Sequence, residues 1–422
     1  MPLMDTLDLL NARLIVFTII SFIFTFVSIF WILVLLESRK ELYDDPKPKR
    51  RPSLSVIVPA YNEGDVIADC LNSLLKLDYP NLAQIIVVDD GSTDDTKEVA
   101  ARFLSNPKVK LISKENGGKA SAMNEGIKYV KEELVACLDA DSIILNPDVL
   151  DHMVGYFEDS KIAAVTPALK VYQPANTLQQ IQWIEYLLSQ FLRKMSAMID
   201  VILVAPGPFT VYRTSVLREI GGFDSSTLTE DMEIAYRLHK YGYSIENSSN
   251  AEIGTYAPFT LKDLFLQRLR WARGTYQNMH KYLHFVLNRE YGTVGVVMLP
   301  LSILTLLLLP LLIPYTSYIF FSGVYQRVES LYYFLSAGIR PELSIDLLAS
   351  FLGTNFFATF LVVLMFAIAL ALLFASHKYS GEKLNAGVKA AYLLYMFVFY
   401  FVLHIIFLTA FIYEALGVKR KW

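Results

Sequence analysis

Two aspartates, Asp139 and Asp141, stand two positions apart directly after the apolar residues 135–138. If that run is a strand, residues two apart face the same side, so both carboxylates can address one ligand. Hard oxygen donors suit Mg²⁺ or Mn²⁺, and such an ion bridges to a diphosphate and neutralises charge on a leaving group. Pairs of this kind are common by chance, but this position after an apolar strand favours a site for a metal and a diphosphate.

A third carboxylate, Asp90, follows the apolar residues 85–88 and precedes Gly91. At the carboxyl end of a strand, a carboxylate can accept hydrogen bonds from a base or a ribose, and a glycine lets the ligand approach the backbone. The alternative is that this segment caps the next helix through Thr93 and Asp94. We favour Asp90 as a nucleotide contact, and the two roles are compatible.

Two further segments offer groups to a nucleotide. The first apolar run ends in a turn whose backbone can face a ligand. Its residues are Pro59, Ala60, Tyr61, Asn62, Glu63 and Gly64. Lys119 follows Gly117 and Gly118 at the predicted start of a helix, where backbone N–H groups and an ammonium suit a diphosphate. The segment is not a Walker loop, because that spacing is absent.

A candidate base lies further along, in Thr229-Glu230-Asp231. Thr229 can cap the predicted helix that follows, with the acids favouring its positive end. Transfer to a hydroxyl acceptor needs a group that takes the proton, and a carboxylate serves for this. From position alone the two interpretations are close to even.

The segment Gln267-Arg268-Leu269-Arg270-Trp271 lies in an amphipathic stretch at residues 259–286. Arginine pairs with phosphate, and tryptophan offers a face to a sugar ring. Alone, the segment favours a helix at a membrane surface with a Trp anchor and snorkelling arginines. Residues 177–198 also carry an apolar stripe, for which we expect the membrane surface rather than the alternative, packing on a sheet. The stripe consists of Leu178, Ile181, Ile184, Leu188, Phe191 and Met195.

Alternating strands and helices must position these groups. Short apolar runs predict buried strands at residues 54–58, 85–88, 109–112 and 134–138. Amphipathic stretches predict helices at residues 65–75, 93–103 and 119–130. This alternation implies an α/β fold with a mostly parallel sheet covered on both faces and a ligand at the carboxyl ends of the strands.

Long uncharged runs flank that region in a chain with 54% hydrophobic residues. Residues 14–36 are long enough to span a bilayer, and so are three C-terminal segments near residues 294–323, 347–376 and 390–413. We count four spans, or five if the proline-containing first C-terminal segment is divided. The predicted organisation is therefore a tail, span and basic linker at 1–45, a cytosolic domain at 46–290 and a membrane region at 291–422.

Charge sets the expected orientation and partners. The basic linker after the first span places residues 46–290 in the cytosol. Four spans would put the C-terminus outside, which conflicts with Lys419, Arg420 and Lys421, and a fifth span would remove the conflict. A net charge of −3 and the lack of a basic domain argue against nucleic acid. We expect Cys70 and Cys137 to be small buried residues rather than a disulfide.

Taken in order, five segments resemble the motifs of family 2 glycosyltransferases, and specifically the processive branch of cellulose, chitin, hyaluronan and poly-N-acetylglucosamine synthases. The segments are Val58-Pro59-Ala60-Tyr61-Asn62-Glu63, Asp89-Asp90-Gly91-Ser92, Asp139-Ala140-Asp141, Thr229-Glu230-Asp231 and Gln267-Arg268-Leu269-Arg270-Trp271. Each is weak or moderate alone, and their order makes the resemblance specific over residues 54–275.

The resemblance implies a GT-A fold, with a nucleotide-binding mixed sheet flanked by helices, an inverting single displacement and a Mg²⁺ or Mn²⁺ cofactor. In that reading Asp90 contacts the uridine and Lys119 the diphosphate. Asp139 and Asp141 hold the metal and phosphates. Asp231 is the general base, with Glu230 beside it as a second catalytic carboxylate. Gln267, Arg270 and Trp271 hold the leaving diphosphate and the acceptor sugar.

The resemblance also implies the substrates and the location. The donor is a UDP-sugar, with N-acetylglucosamine favoured over glucose, and the acceptor is a growing polysaccharide at the plasma membrane. The family's acceptor loop corresponds to Pro206 and Gly207, but its usual wording is replaced here by Pro-Gly-Pro, which leaves the acceptor open. One alternative is single-sugar transfer to a membrane lipid, as in ceramide glucosyltransferases. The few spans favour a small membrane partner or self-association.

Overall fold

A computed structural model describes residues 22–23, 25–37, 42–338, 356–383 and 386–419 of the chain. Its strands are β1 Leu54–Ala60, β2 Leu82–Asp89, β3 Val109–Ser113, β4 Leu134–Cys137, β5 Ser142–Ile144, β6 Ile162–Val171, β7 Thr210–Arg213 and β8 Ser244–Thr255. They form one mixed sheet in the order β3-β2-β1-β4-β7-β6-β8-β5.

The helices surround this sheet and extend beyond it. They are α1 Thr25–Glu37, α2 Ile67–Leu74, α3 Thr96–Ala101, α4 Lys119–Ile127, α5 Val149–Val154, α6 Thr177–Ala197, α7 Thr214–Glu219, α8 Glu230–Lys240, α9 Leu261–Lys281, α10 Leu299–Ser336, α11 Phe356–Tyr379 and α12 Lys389–Ala415. Short 3₁₀ turns occupy Arg102–Ser105, Gly155–Glu158, Leu283–Phe285, Arg289–Tyr291 and Ala386–Val388. Five-residue π-helical turns lie at Val294–Met298, before α10, and at Tyr395–Phe399, within α12.

The first four strands confirm the prediction from the apolar runs. β1 pairs in parallel with both β2 and β4, and β2 pairs in parallel with β3. Every residue of β1 and β4 is buried. Parallel strands covered on both faces read as continuous apolar runs, which is why β1, β2 and β4 could be located from sequence. β3 lies at the edge of the sheet, and only Val109 of this strand is fully buried.

Two apolar cores lie on opposite faces of the sheet. One gathers Ile67 and Leu71 of α2 with Leu150 of α5. The other gathers Met123 of α4 with Ile234 of α8. Because helices cover both faces, the edge left open for a ligand is the one formed by the strand ends.

The second half of the sheet departs from the mostly parallel arrangement that strand–helix alternation predicts, and it gives the mixed sheet that the GT-A resemblance implies. β7 runs antiparallel to β4 and to β6, and β5 runs antiparallel to β8, whereas β6 and β8 are parallel. The sheet is therefore mixed. β5 begins at Ser142, directly after Asp141, so the antiparallel half starts immediately behind the aspartate pair.

The apolar stripe of α6 is covered by protein. Ile181 and Ile184 pack with Leu264 of α9 and with Val388 and Ala391 near the start of α12. Further along, Phe191 and Met195 pack with Val34 of α1 and Tyr379 of α11. The stripe thus faces the flanking helices rather than lipid, and α6 also contacts β6 and β8. Sequence periodicity identified the buried face but could not identify its partner.

Helices form in the described parts of all four predicted spans. Among the described residues, one helix, Lys389–Ala415, is long and apolar enough to cross a membrane by length and composition. The first predicted span and the third, at residues 14–36 and 347–376, fall partly outside the described residues. The second, at residues 294–323, covers the π-helical turn Val294–Met298 and the first part of the 38-residue helix α10, which continues through its prolines.

Candidate active site

The sheet brings the predicted motifs to one edge. Ala60, at the end of β1, lies opposite Asp89 of β2, and Ile57 lies opposite Cys137 of β4. The turn after β1, the acids after β2 and the aspartate pair after β4 therefore emerge side by side. This is the edge at which an open α/β sheet binds its ligand.

Asp90 anchors the loop that precedes α4. Its carboxylate accepts hydrogen bonds from the backbone N–H groups of Gly117 and Gly118, the latter at 2.7 Å. It also pairs with the ammonium of Lys114 at 2.6 Å. Asp90 is 2% exposed. Sequence reasoning weighed a nucleotide contact against helix capping and missed Lys114, whose role depends on the pairing of β2 with β3.

The turn after β1 is tied to the segment after β2. Asn62 adopts a left-handed conformation, with φ of 56°, and its side chain accepts a hydrogen bond from the Thr93 N–H at 2.8 Å. The Glu63 N–H donates to Thr96 Oγ1 at 2.7 Å. Burial, followed by the charges of Asp141 and Asp139, raises the pKa of Glu63 to about 7. Glu63 thus belongs to the same acidic cluster as the aspartate pair.

Lys119 joins the aspartate pair to the candidate base segment. Its ammonium lies 2.5 Å from Asp139 Oδ1 and 3.3 Å from Glu230 Oε1. Burial alone would lower the pKa of Lys119, but the charges of Asp139 and Glu230 outweigh it and raise that pKa above its ordinary value. Lys119 therefore stays charged, as the diphosphate role predicted for it requires.

Two of the acids have pKa values well above the ordinary range. Burial, and then the charge of Asp139, raises the pKa of Asp141 to about 6. Burial, and then the charge of Glu230, raises the pKa of Asp231 to about 6, while Lys119 and Arg270 act in the opposite direction. A carboxylate whose pKa is shifted toward neutrality is a better proton acceptor, and clusters of such shifts mark functional sites.

The Pro206-Gly207-Pro208 loop closes one side of this cluster. A Cβ atom at Gly207 would lie 2.3 Å from the Lys119 ammonium and 2.8 Å from Asp139 Oδ2, so only glycine fits without a shift. The loop is fixed next to Asp231, since the Ala205 N–H donates to the Asp231 carbonyl at 3.0 Å. The predicted acceptor loop therefore borders the acidic cluster.

Helix α9 packs against the segment that carries Asp231. A Cβ atom at Gly274 would lie 2.2 Å from Thr229 Oγ1, so the helix approaches Thr229 through its glycine. The Asn278 amide donates to Thr229 Oγ1 at 2.9 Å. The Thr229 side chain makes no capping hydrogen bond to α8. The Thr229 side chain therefore packs against α9 and does not cap α8.

The predicted aromatic and basic residues of α9 differ in their burial and in their partners. Arg268 is 6% exposed, pairs with Glu185 at 2.7 Å and lies 4.0 Å above the Trp271 ring. Arg270 is exposed and acts electrostatically on Asp231. The Gln267 side-chain oxygen is buried and has no hydrogen-bond partner among the described residues. The Arg268–Glu185 pair was not predicted, since Glu185 belongs to α6.

Asp139 and Asp141 are sufficient to hold a hard divalent cation only if substrate phosphates also coordinate the ion. Within the described ranges there is no group of three or more His, Cys, Asp or Glu side chains placed to hold a metal. Asp139 and Asp141 supply carboxylates that repel each other, as the raised pKa of Asp141 indicates. Mg²⁺ is commonly held by one or two carboxylates together with substrate phosphates and water, so a pair is a sufficient protein contribution.

The fold of this chain is similar to that of a solved structure. The solved structure of a mannosyltransferase from Pyrobaculum calidifontis, in complex with GDP-Man and Mn²⁺, covers 90% of this chain and 99% of its own, with a TM-score of 0.58 and 22% identity. Sequence places the chain more narrowly. Residues 55–221 match the family described as Glycosyl transferase family 2. The chain belongs to this family and is a glycosyltransferase.

Curated relatives carry the same name in two organisms. The chain is 32% identical over 273 residues to the poly-beta-1,6-N-acetyl-D-glucosamine synthase of Staphylococcus epidermidis, and 32% identical over 272 residues to that of Staphylococcus aureus. Each match covers 62% of this chain and 66% of the relative's length. The resemblance inferred from the five motifs is thereby confirmed.

Proposed function

We propose that this chain adds a sugar from a UDP-sugar, N-acetylglucosamine in preference to glucose, to a growing polysaccharide at the cytosolic face of the plasma membrane. The observation that carries the proposal is the Lys119 ammonium held between Asp139 and Glu230, next to Asp231. This contact joins a cation- and diphosphate-binding half to a proton-accepting half. The name of the staphylococcal relatives supports the choice of sugar and polymer.

The reaction is a single displacement. Asp231 accepts the proton of the acceptor hydroxyl, and the hydroxyl oxygen forms a bond to the anomeric carbon of the donor. The bond from that carbon to the diphosphate oxygen breaks, and UDP leaves with the bonding electrons, so the configuration inverts. The raised pKa of Asp231 suits this role, since an ordinary carboxylate would be a weaker base at neutral pH.

Charge on the departing diphosphate is offset by this chain's own cations. Lys119 stays protonated between its acidic partners, and Arg270 is exposed beside Asp231. Asp139 and Asp141 would hold a Mg²⁺ or Mn²⁺ ion, which supplies further neutralisation of the diphosphate when bound. Asp90 orients the glycine amides before α4 and is assigned to the uridine, and the Pro59, Ala60 and Tyr61 turn borders the same side.

The acceptor is assigned to the Pro206–Gly207 loop and Trp271. The loop borders the Lys119–Asp139 pair, and the Trp271 ring is half-buried against Arg268. An aromatic face of this kind stacks on a sugar ring. A small membrane partner or a second copy of the chain would contribute to the path of the growing polymer.

Incubation of the purified full-length protein with labelled UDP-sugars tests this function. We expect a ladder of long, water-soluble products from UDP-N-acetylglucosamine. A single lipid-soluble product would instead support transfer to a membrane lipid, the alternative that the Pro-Gly-Pro loop leaves open. Absence of any sugar transfer from a panel of UDP-sugars would contradict both.

A further inference from the structure

The end of the C-terminal helix is bonded to α9. Arg273 of α9 donates from Nε to the Glu414 carboxylate at 2.5 Å and from its terminal nitrogen to the Val418 carbonyl at 2.7 Å. The Gln277 amide donates to the same Glu414 oxygen at 3.0 Å. Three hydrogen bonds thus converge where α12 ends, and two of them share one carboxylate oxygen.

This contact is largely removed from solvent. Arg273 is 7% exposed, and its guanidinium lies 5.7 Å from the Tyr413 ring centre. A buried guanidinium needs its carboxylate, because removal of one partner leaves the other charge without compensation. The pair therefore fixes the position of α9 relative to α12 more firmly than an exposed ion pair would.

From α9 the contacts continue to the base. The Gln277 side chain donates to Glu414 and accepts from the Leu228 N–H at 3.0 Å, so one side chain connects α12 with the segment before the base. One residue further on, Asn278 holds Thr229 at 2.9 Å. Only Glu230 separates Thr229 from Asp231. A continuous set of hydrogen bonds thus runs from Glu414 to the neighbours of Asp231.

We propose that Arg273 and Glu414 form a brace by which the C-terminal helix positions Asp231 for proton transfer. The inference rests on the proposed role of Asp231 and adds two positioning residues, neither of which touches the site. Misplacement of a catalytic group by about 1 Å costs on the order of 100-fold in rate, so a brace of this kind has a measurable effect. Lys119, Asp139 and Asp141 lie outside the brace, and Arg270 and Trp271 precede Arg273 on α9, so we expect the affinity for substrate to change less than the rate.

Glu414→Gln in the full-length protein tests the brace, because it keeps the side-chain shape and removes the charge. We expect kcat to fall roughly tenfold while KM for the nucleotide sugar and the affinity for UDP change less. Arg273→Gln should behave alike, and the double variant should be no worse than either single one, since both remove the same interaction. Additive losses would contradict a shared brace.

A matched control is available at the other end of the same region. Glu382 pairs with Lys170 at 3.2 Å and also joins a C-terminal segment to the sheet, but within the described part of the chain this pair makes no hydrogen bond to residues 228–231. Glu382→Gln should therefore leave kcat unchanged. An equal loss of kcat in this variant would show that any weakening of the C-terminal contacts suffices, and the brace would be rejected.

Hydrogen–deuterium exchange separates the brace from the proposed reaction. The Leu228 N–H is bonded to Gln277, so we expect Glu414→Gln to speed exchange in peptides covering residues 228–231, and Glu382→Gln to leave it unchanged. This readout needs no substrate. Unchanged exchange at residues 228–231 in Glu414→Gln would overturn the brace even if transfer is confirmed, and faster exchange in a protein without transfer would leave the brace standing while the proposed function fails.

Discussion

Asp231 sits where charges of both signs meet, and the balance sets its protonation. Burial and Glu230 raise its pKa to about 6, whereas Lys119 and Arg270 favour its ionised form. A base works only when ionised, so kcat should rise as pH increases through about 6 and level off above it. A kcat profile between pH 5 and 8 measures this, and Asp231→Asn should abolish transfer while UDP still binds.

The pH profile also carries its own control. Glu230→Gln removes the neighbouring charge that raises the pKa of Asp231, so the rising limb should move to lower pH. A profile that is flat across pH 6, together with full activity in Asp231→Asn, would show that another group accepts the proton.

The aspartate pair can be tested separately from the base. Asp141→Asn removes one candidate metal ligand but leaves the Lys119–Asp139 ion pair intact. We expect the affinity for UDP in the presence of Mn²⁺ to fall at least roughly tenfold, because a charged ligand is lost, and the affinity without metal to change little. Isothermal titration calorimetry with and without Mn²⁺ gives both values.

Asp148→Asn is the matched control for that experiment. Asp148 follows the same strand region, but its side chain is 58% exposed and accepts a hydrogen bond from Asn146. The Asp148→Asn protein should have the same affinity for UDP as the protein without the substitution, with and without Mn²⁺. If the unchanged protein binds UDP equally well with and without Mn²⁺, the metal assignment fails.

At the scale of elements, the loop carrying Gly207 can approach Lys119 and Asp139 closely because glycine has no side chain. In Gly207→Ala the new Cβ would displace the flexible end of Lys119 from Asp139 rather than the backbone. We therefore expect a folded protein whose melting temperature changes little but whose kcat/KM falls at least roughly tenfold, as the ion pair loses its geometry. Thermal unfolding and transfer assays on the same sample distinguish the two effects.

A result in which folding is lost but the residual activity per folded molecule is normal would contradict this account of Gly207. Gly221→Ala serves as the comparison. Its φ of 87° makes any side chain costly, yet open space surrounds the added Cβ apart from the end of Arg237. That variant should lower stability without changing the kinetics of the folded protein.

Whether the sequence predicted a feature at this scale depends on whether that feature is set by a local run of residues or by contacts with distant segments. β1, β2 and β4 were located because each contains a continuous apolar run that is buried, and the acids after β2 and β4 followed. Lys114 and Glu185 were missed because their partners, Asp90 and Arg268, are brought to them by strand pairing and helix packing. The antiparallel strands were missed for the same reason, since their register depends on distant segments.

At the scale of the whole molecule, both ends of α12 rest on the catalytic domain. Before its start, Glu382 pairs with Lys170 of β6, and near its end Glu414 pairs with Arg273 of α9. Between them, Ile406 and Ala410 pack along α9 against Leu269 and Ala272. The contacts follow α9 over much of its length.

This packing leaves two arrangements of α12 at a membrane, one in which the helix crosses the bilayer and one in which it does not. The 27 residues of α12 extend roughly 40 Å, longer than the roughly 30 Å hydrocarbon core, so a crossing helix would carry one end to the far side. The opposite face of α12 exposes Phe397, Phe401 and Ile405, each more than half exposed. We expect α12 to lie along α9 with this face toward lipid, because contacts near both of its ends join it to the catalytic domain.

The side of the membrane on which α12 ends distinguishes the two arrangements. If α12 lies along α9, the C-terminus shares the side of the catalytic domain, which removes the conflict that Lys419 created for an outside C-terminus. A cysteine replacing Leu416, which is 74% exposed, should react with a membrane-impermeant maleimide in inverted vesicles but not in intact cells. The native Cys70 and Cys137 give little background because both are buried. Leu104→Cys on the catalytic domain should label from the same side, and labelling of Leu416→Cys from the opposite side would establish that α12 crosses the bilayer and that its contacts with α9 do not hold in the membrane.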